Sequence, residues 1–264
     1  MAEPLAPKDC VIFLSHHTRP GAMRSLSQMT QDLRGRFDVI PIFDVTHGAL
    51  SPNALPPGAL TVTAAEVEAA LPYQAKIAQH PGTFWSRNID LPLLWFWSRN
   101  PGYRTYWVIE YDVRYSGHWG DFFGAFLDNQ SDLLATTLFD YAFRTSWGHW
   151  QSFESPTPVP LAARVRATLS AYRLSARALA ALDQAYRQGC SGHYEVAIPT
   201  LLKSRGFSIE DIGGNGRYVA AGNINRYYTN SPEVSGLAPG TFVLHPEGMI
   251  KDDLPNMLWN PFKD

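Results

Sequence analysis

Positions 106–115 read YWVIEYDVRY, where a run of aromatic and β-branched residues leads into two acidic ones. Such a composition is typical of a strand. Alternate side chains of a strand share a face, so we expect Glu110 and Asp112 side by side and Tyr111 on the other face. Two adjacent carboxylates repel each other unless a cation lies between them. The stretch therefore predicts either a divalent metal or an ion pair with Arg114 on the same face.

Apolar runs that favour strands alternate with helical stretches in the first half of the chain. Strands are predicted at 10–15 and 38–43, with a helix reaching Leu33 between them and another helix at 88–98. This order is typical of a parallel sheet, whose carboxyl edge is where α/β proteins place ligands. Because no linker or internal repeat divides the chain, we predict one α/β domain over 1–264, with a mostly parallel central sheet flanked by helices.

The second half of the chain has one more strand pattern and two helical ones. A strand is predicted at 132–138. Apolar residues recur every three or four positions over 161–186, which predicts an amphipathic helix. Its arginines are then expected to form a solvated face: Arg164, Arg166, Arg173 and Arg177. A further helix is predicted at 196–205, ending at Gly206.

Composition and charge exclude several classes of protein. The chain has 264 residues, of which 45% are hydrophobic and 17% charged, as in globular domains. Lys and Arg number 22 against 24 Asp and Glu, without a basic run, so no nucleic-acid partner is expected. The longest apolar run, 91–97, is far below the ~20 residues of a membrane span, and no secretory core is recognisable, which favours a cytoplasmic location. Cys10 and Cys190 alone support neither a disulfide framework nor structural zinc.

Several short segments, in order along the chain, resemble the nucleotide-sugar glycosyltransferases of the GT-A type. The triplet 110–112 (EYD) resembles the acid-x-acid motif that ends a central strand in that family, and 86–88 (SRN) resembles its small-Arg-Asn segment. Residues 192–195 (GHYE) resemble the stretch presenting an acceptor-side acid, and 241–246 (TFVLHP) the late strand whose histidine completes the metal site. The longer stretch 107–117 (WVIEYDVRYSG) is also similar to a motif in a further group of glycosyltransferases.

The resemblance implies a GT-A-like fold with a nucleotide-binding half at about 10–115 and an acceptor half with the C-terminal segment at about 116–264. It implies a metal-dependent enzyme that moves a hexosyl or related group from a UDP- or GDP-sugar to a hydroxyl of a glycan or other acceptor, in glycan or polysaccharide synthesis. A lipid-linked acceptor would place it at the inner membrane face, although no basic amphipathic helix requires this. The alternatives are a catalytically silent nucleotide- or sugar-binding module and a metal-dependent hydrolase of a diphosphate or sugar bond.

The metal implied by the resemblance is Mn²⁺ or Mg²⁺, held by Asp112 with His245 and Glu110. Carboxylate oxygens suit both ions, whereas an imidazole nitrogen favours Mn²⁺. Glu110 stands where Asp is commonest in the family, which leaves Asp112 as the safer ligand. Glu110 could instead act through a water or hold a ribose hydroxyl, and a structural role is the alternative for His245.

Residues after the first two strands are the expected nucleotide contacts. Those after the first strand are Ser15, His16, Thr18 and Arg19. Asp44 ends the second strand and could accept hydrogen bonds from base or ribose, or cap a turn. Arg87 could bind a diphosphate oxygen or pair with a neighbouring acid.

Glu195 is the predicted catalytic base, which implies inversion at the anomeric carbon. It opens a helix whose dipole favours the ionised carboxylate, although helix capping alone explains it equally well. His193 is a rival base because imidazole has a near-neutral intrinsic pKa. The segment 146–153 (SWGHWQSF) could stack on an acceptor sugar or fill the core.

Overall fold

The structure is a computed structural model that describes residues 8–48, 50, 54–85, 87–230, 241–242 and 254–261. In chain order its helices and strands are β1 (Asp9–Ser15), α1 (Pro20–Asp32), β2 (Asp38–Asp44), β3 (Leu60–Val62), α2 (Ala64–Ala70), α3 (Gln74–Ala78), α4 (Asp90–Arg99), β4 (Thr105–Glu110), β5 (Arg114–Tyr115), α5 (Trp119–Gly124), β6 (Leu133–Asp140), β7 (Val165–Ser175), α6 (Ala176–Arg187), α7 (Tyr194–Ser204), β8 (Ile209–Asp211) and β9 (Leu258–Trp259).

Seven of the strands form one sheet in the order β3-β2-β1-β4-β7-β6-β8. β1 is parallel to β2 and β4, β2 is parallel to β3, and β6 is parallel to β8. Only β7 in this sheet runs antiparallel, against both β4 and β6. The predicted α/β class with a mostly parallel central sheet is therefore confirmed.

Helices cover both faces of the sheet because the central strands are apolar on both sides. Tyr106 and Val108 of β4 pack in one core cluster with residues of α2, α4, α6 and α7. Trp107 and Ile109 pack in a second cluster with residues of α1 and α5. A strand buried on both faces reads as a near-continuous apolar run, which is how β4 reads before Glu110.

The predicted helix over 161–186 is wrong in its first half, because Val165–Ser175 form β7 and only Ala176–Arg187 form α6. Its arginines do not share a solvated face. Arg173 is 1% exposed and donates to the backbone oxygens of Phe126, Asn129 and Ser131, while Arg166 is buried as well. Of the arginines at issue, Arg177 is exposed.

The other predicted elements agree with the structure within a few residues. They are β1, α1, β2, α4, β6 and α7. Cys10 and Cys190 are buried free thiols. Within the described ranges, no helix has the length and apolarity to cross a membrane.

Candidate active site

The acidic residues Glu110 and Asp112 lie in a turn at the carboxyl end of β4. The strand ends at Glu110, and the Val113 amide donates to the Glu110 carbonyl oxygen (3.0 Å). The predicted strand to Tyr115 is thus too long, and alternation along a strand does not place Asp112 beside Glu110. Both residues are nevertheless buried, with 9% and 5% exposure. Two acids removed from water in one turn need compensating positive charge or donors.

Two groups are seen to hold this turn. Arg114 is buried, and its Nη1 donates to the carbonyl oxygens of Tyr111 (2.6 Å) and Val113 (3.0 Å). Asn260, which the sequence did not single out, donates from Nδ2 to Asp112 Oδ1 (3.1 Å). The backbone of Asn260 in turn donates to the Thr241 carbonyl oxygen (3.0 Å). The C-terminal segment therefore reaches the acidic turn.

The ends of β1 and β2 lie at the same edge of the sheet as the acidic turn, because β1 is parallel to its neighbours β2 and β4. Asp44 accepts from the Trp85 indole nitrogen at Oδ2 (2.7 Å) and from the Thr46 amide at Oδ1 (2.9 Å). The Ser15 hydroxyl donates to the His17 carbonyl oxygen (2.7 Å) and accepts from the His17 amide (2.9 Å). Both side chains thus fix turns at this edge, which for Asp44 is the turn role foreseen as an alternative.

An aromatic group connects these turns to the acidic residues. The ring of His16 lies 4.0 Å from that of Trp85 and 4.8 Å from that of Tyr111, between centroids. His17 also contacts Tyr111, edge to face at 5.0 Å. Trp85 was missed from the sequence because no periodic pattern marks it. Arg19 lies just before α1 and is exposed.

Arg87 follows Trp85 closely in the sequence and adds a positive charge near the candidate site. It is half-buried, and in the described part of the chain no carboxylate pairs with its guanidinium group. Three histidines respond to its charge: after burial, Arg87 is among the causes that lower the pKa of His80, His149 and His193. Of the two interpretations of Arg87, pairing with a neighbouring acid is not seen among these residues.

Glu195 lies in the first turn of α7, two residues after the capping residue His193. Burial raises the pKa of Glu195 from 4.5 to about 7, although nearby Arg166 and the Leu169 amide, which donates to Oε1 (3.4 Å), oppose the rise. The helix dipole was expected to favour the ionised form, but desolvation is the larger effect here. A carboxyl group with this pKa can both take and return a proton near neutral pH.

His193 is a weaker base than its intrinsic pKa suggested. Burial, with the charges of His149, Lys76, Arg87 and Arg166, lowers the pKa of His193 to about 3. Its Nδ1 accepts from the Glu195 amide (3.3 Å), as expected of a neutral ring. This nitrogen lies 4.0 Å from Glu195 Oε2, but because the ring is neutral the two groups do not form an ion pair at neutral pH.

The segment 146–153 divides between site and core. His149 stacks on His193 at 4.2 Å between ring centroids, and the Arg166 guanidinium lies 4.4 Å from the centroid of Trp147. Trp147 is only half-buried. Trp150 and Phe153, by contrast, are buried in the core. Of the two interpretations, the core role holds for these last two residues.

The charges of Glu110 and Glu195 act on the same buried tyrosine, Tyr194. After desolvation, the charges of Glu110 and Glu195 are the leading causes that raise the pKa of Tyr194. The antiparallel pairing brings them together, since Ala171 of β7 pairs with Ile109 and the residues before Ala171 extend past the end of β4. The end of β4 and the start of α7 therefore border one region.

Two of the three predicted metal ligands, Glu110 and Asp112, lie in the described part of the chain. Glu110 and Asp112 provide carboxylate oxygens, the donors that Mn²⁺ and Mg²⁺ prefer. No cluster of three or more His, Cys, Asp or Glu suited to a metal occurs among the residues that the structure describes. His245 lies outside the described residues, as does Ser86. Further ligands would have to come from outside those residues or from a bound phosphate.

No protein-family model matches the chain, and no curated protein matches it in sequence. Solved structures similar to it include a protein described as a glucose-1-phosphate thymidylyltransferase from Bacillus anthracis in complex with sucrose (TM-score 0.42, 10% identity, covering 77% of this chain and 86% of that one). Two others are the mannosyltransferase Ktr4p from S. cerevisiae (TM-score 0.38, 10% identity, 80% and 70%) and HddC from Yersinia pseudotuberculosis (TM-score 0.34, 11% identity, 77% and 89%). Two of these three are named as transferases of a nucleotidyl or a glycosyl group, and at TM-scores below 0.5 they assign no reaction to this chain.

Proposed function

We propose that this chain is a metal-dependent glycosyltransferase that moves a sugar from a UDP- or GDP-sugar to a hydroxyl acceptor such as a glycan. The observation that carries the proposal is the buried pair Glu110 and Asp112 at the carboxyl end of β4, bordering the same region as the half-buried carboxyl of Glu195. Carboxylates at a sheet edge suit a cation with its phosphates, and a separate carboxyl near neutral pKa suits proton transfer.

On the donor side, Asp112 and Glu110 would hold Mn²⁺ or Mg²⁺. His245 would complete the set, and support comes from Asn260, which joins Asp112 to Thr241, only a few residues before His245 in the sequence. When bound, the ion supplies charge neutralisation on the departing diphosphate. Arg87, with no acid paired to it among the described residues, would donate to a diphosphate oxygen.

The nucleotide would lie against the turns after β1 and β2. The rings of His16, Trp85 and Tyr111 offer faces for a base, and Asp44 and Ser15 keep these turns in place. Arg19 is exposed just before α1 and follows the end of β1 by only a few residues. Its side chain would contact a phosphate at the edge of this nucleotide region.

On the acceptor side, Glu195 would accept the proton of the attacking hydroxyl, which makes the reaction an inverting one. The pKa of about 7 gives this carboxylate a higher proton affinity than a solvated one. Trp147, half-buried and close to Arg166, would stack on an acceptor sugar. His193 would position Glu195 through its hydrogen bond to the Glu195 amide.

The test is calorimetric titration of the protein with UDP and GDP, with and without Mn²⁺, followed by a search for released diphosphate from the corresponding sugars. We expect metal-dependent binding that Asp112→Ala abolishes. Asp121→Ala, which removes an exposed acid on α5, is the matched control and should bind like the wild type. Unchanged binding by Asp112→Ala would remove the site as described.

Turnover separates the proposal from its alternatives. A transferase releases most of its diphosphate only when an acceptor hydroxyl is present, whereas a hydrolase releases it without one. Binding with no release under either condition would identify a silent nucleotide- or sugar-binding module. Location in the cytoplasm or at the inner membrane face stays a prediction.

A further inference from the structure

Lys76 is a fully buried charged residue that the sequence did not single out. It lies in α3 with 0% exposure, and its ammonium group is 3.1 Å from Asp90 Oδ1. The same nitrogen donates to the carbonyl oxygens of Gly192 (2.8 Å) and Arg87 (3.2 Å). Burial lowers the pKa of Lys76, and Asp90 opposes that change. Three oxygens thus surround the ammonium group: two carbonyl oxygens accept its hydrogen bonds, and the Asp90 carboxylate forms an ion pair with it.

The three oxygens belong to segments that border the candidate site from different sides. Arg87 precedes α4, Asp90 is the first residue of α4, and Gly192 comes immediately before the capping residue of α7. Asp90 is itself fixed by the Tyr186 hydroxyl, which donates to Oδ2 (2.8 Å). One ammonium group therefore joins the segment of the proposed phosphate ligand Arg87 to the segment of the proposed base Glu195.

The Gly192 side of this connection has little freedom to move. Gly192 has φ +131°, and a Cβ there would lie 2.8 Å from the Phe153 Cα atom, so no side chain fits. The next amide, of His193, donates to the Ser152 hydroxyl (3.0 Å). Gln79, just after α3, donates to the Ser191 hydroxyl (2.9 Å). A shift of Lys76 would be passed to the start of α7.

The hydrogen bonds of Lys76 say more about its role than its ion pair does. Replacing a buried ion pair by apolar side chains of similar volume is often neutral or stabilising, so the pairing of Lys76 with Asp90 is weak evidence for a purely stabilising role. Its hydrogen bonds go to backbone carbonyls, which fix the main chain rather than a side chain. We infer that Lys76 is a positioning residue that fixes the position of Arg87 relative to the amino end of α7. This inference rests on the proposed function, because it is the diphosphate bound by Arg87 that would thereby be positioned relative to Glu195.

The experiment compares nucleotide binding by Lys76→Met, Arg87→Ala and the double variant, using whichever of UDP and GDP binds the wild type with Mn²⁺. Because Lys76 acts through Arg87, each single variant should weaken binding about tenfold, as loss of one charged hydrogen bond does, and the double variant no more than Arg87→Ala alone. Lys203→Met is the matched control. It removes a lysine paired with Asp140 (2.9 Å) at the far end of α7 and should lower stability without changing the Kd.

Several outcomes would overturn the inference. A wild-type Kd in Lys76→Met shows that the residue is only structural, and effects that multiply in the double variant show that it does not act through Arg87. Absence of nucleotide binding by the wild type would instead overturn the proposed function itself.

A second measurement uses the wild-type protein alone, so it does not depend on whether a variant folds. Hydrogen exchange of the wild-type protein is followed with and without UDP or GDP and Mn²⁺, ligands that carry no sugar to contact Glu195. We expect slower exchange at amides 191–196 as well as around Arg87. Protection that stops at the Arg87 segment would contradict the connection through Lys76.

Discussion

Glu195 should make the stability of the protein depend on pH in a direction opposite to that of an ordinary surface carboxylate. Burial raises the pKa of its carboxyl from 4.5 to about 7. The folded protein therefore binds this proton more tightly than the unfolded chain does. Below pH 4.5 both states are protonated and the group contributes no penalty. The free energy of unfolding then falls as the pH rises from 4.5 to about 7, and the loss is complete above that.

The size of the effect follows from the same two values. A difference between 4.5 and about 7 corresponds to about 3 kcal/mol at 1.36 kcal/mol for each pH unit. Glu195→Gln keeps an oxygen that can accept from the Leu169 amide but removes the titration. From about pH 4 to about pH 8, the stability of this variant relative to the wild type should therefore increase by about 3 kcal/mol.

The assay is urea unfolding across this pH range for the wild type, Glu195→Gln and Glu154→Gln. Glu154 is exposed, so its variant should follow the wild-type curve at every pH. If the free energy of unfolding of Glu195→Gln ran parallel to that of the wild type across the pH range, the reasoning would be refuted, because the half-buried carboxyl would then have an ordinary pKa. Because Glu195 is the proposed base, the rate of turnover should also rise with pH around pH 7 as this carboxyl loses its proton.

Three further variants test other parts of the structure through the free energy of unfolding in urea. Gly192→Ala should cost about 1–3 kcal/mol or more, because φ is +131° and the added Cβ meets the Phe153 backbone; a wild-type value would show that the loop relaxes freely. Arg173→Met should cost about 3 kcal/mol, since it leaves backbone oxygens of Phe126, Asn129 and Ser131 without their donor, and a neutral result would contradict the solvent-free setting described. Trp85→Phe removes the indole donor to Asp44 and should cost about 1–2 kcal/mol while weakening nucleotide binding; unchanged stability and affinity together would argue against Trp85 as part of the site.

The fold class could be predicted because its signals are local. β1, β2 and β4 are apolar runs that end at turns, with helices between them, and this alternation predicts a parallel sheet from the sequence alone. β7 was misjudged for a physical reason. Buried on both faces, it has no clean alternation, and its apolar residues fell by chance at the spacing of a helix. Arg173 fits there only because backbone oxygens from another segment receive its hydrogens.

The candidate site was predictable in its residue types and less so in its geometry. Glu110 lies at the carboxyl end of a central strand as predicted, but a turn rather than a continued strand brings Asp112 into place. The predicted ionised state of Glu195 was wrong because its pKa is raised by desolvation, which depends on tertiary packing that the sequence does not show. Lys76 and Asn260 were missed because Gly192 and Asp112, which accept hydrogen bonds from them, lie 116 and 148 residues away along the chain.

The reversed direction of β7 separates the connection over 141–164 from the turns that follow β1 and β2. The connection over 141–164, which carries Trp147 and His149, enters the sheet beside the ends of the parallel strands, where Val165 begins β7. This excursion leaves from the end of β6 and returns two strands away from β1, so its length and composition can change with little disturbance of the turns around Ser15 and Asp44. Changes in that flank are thereby separated from the part of the framework that would bind a nucleotide.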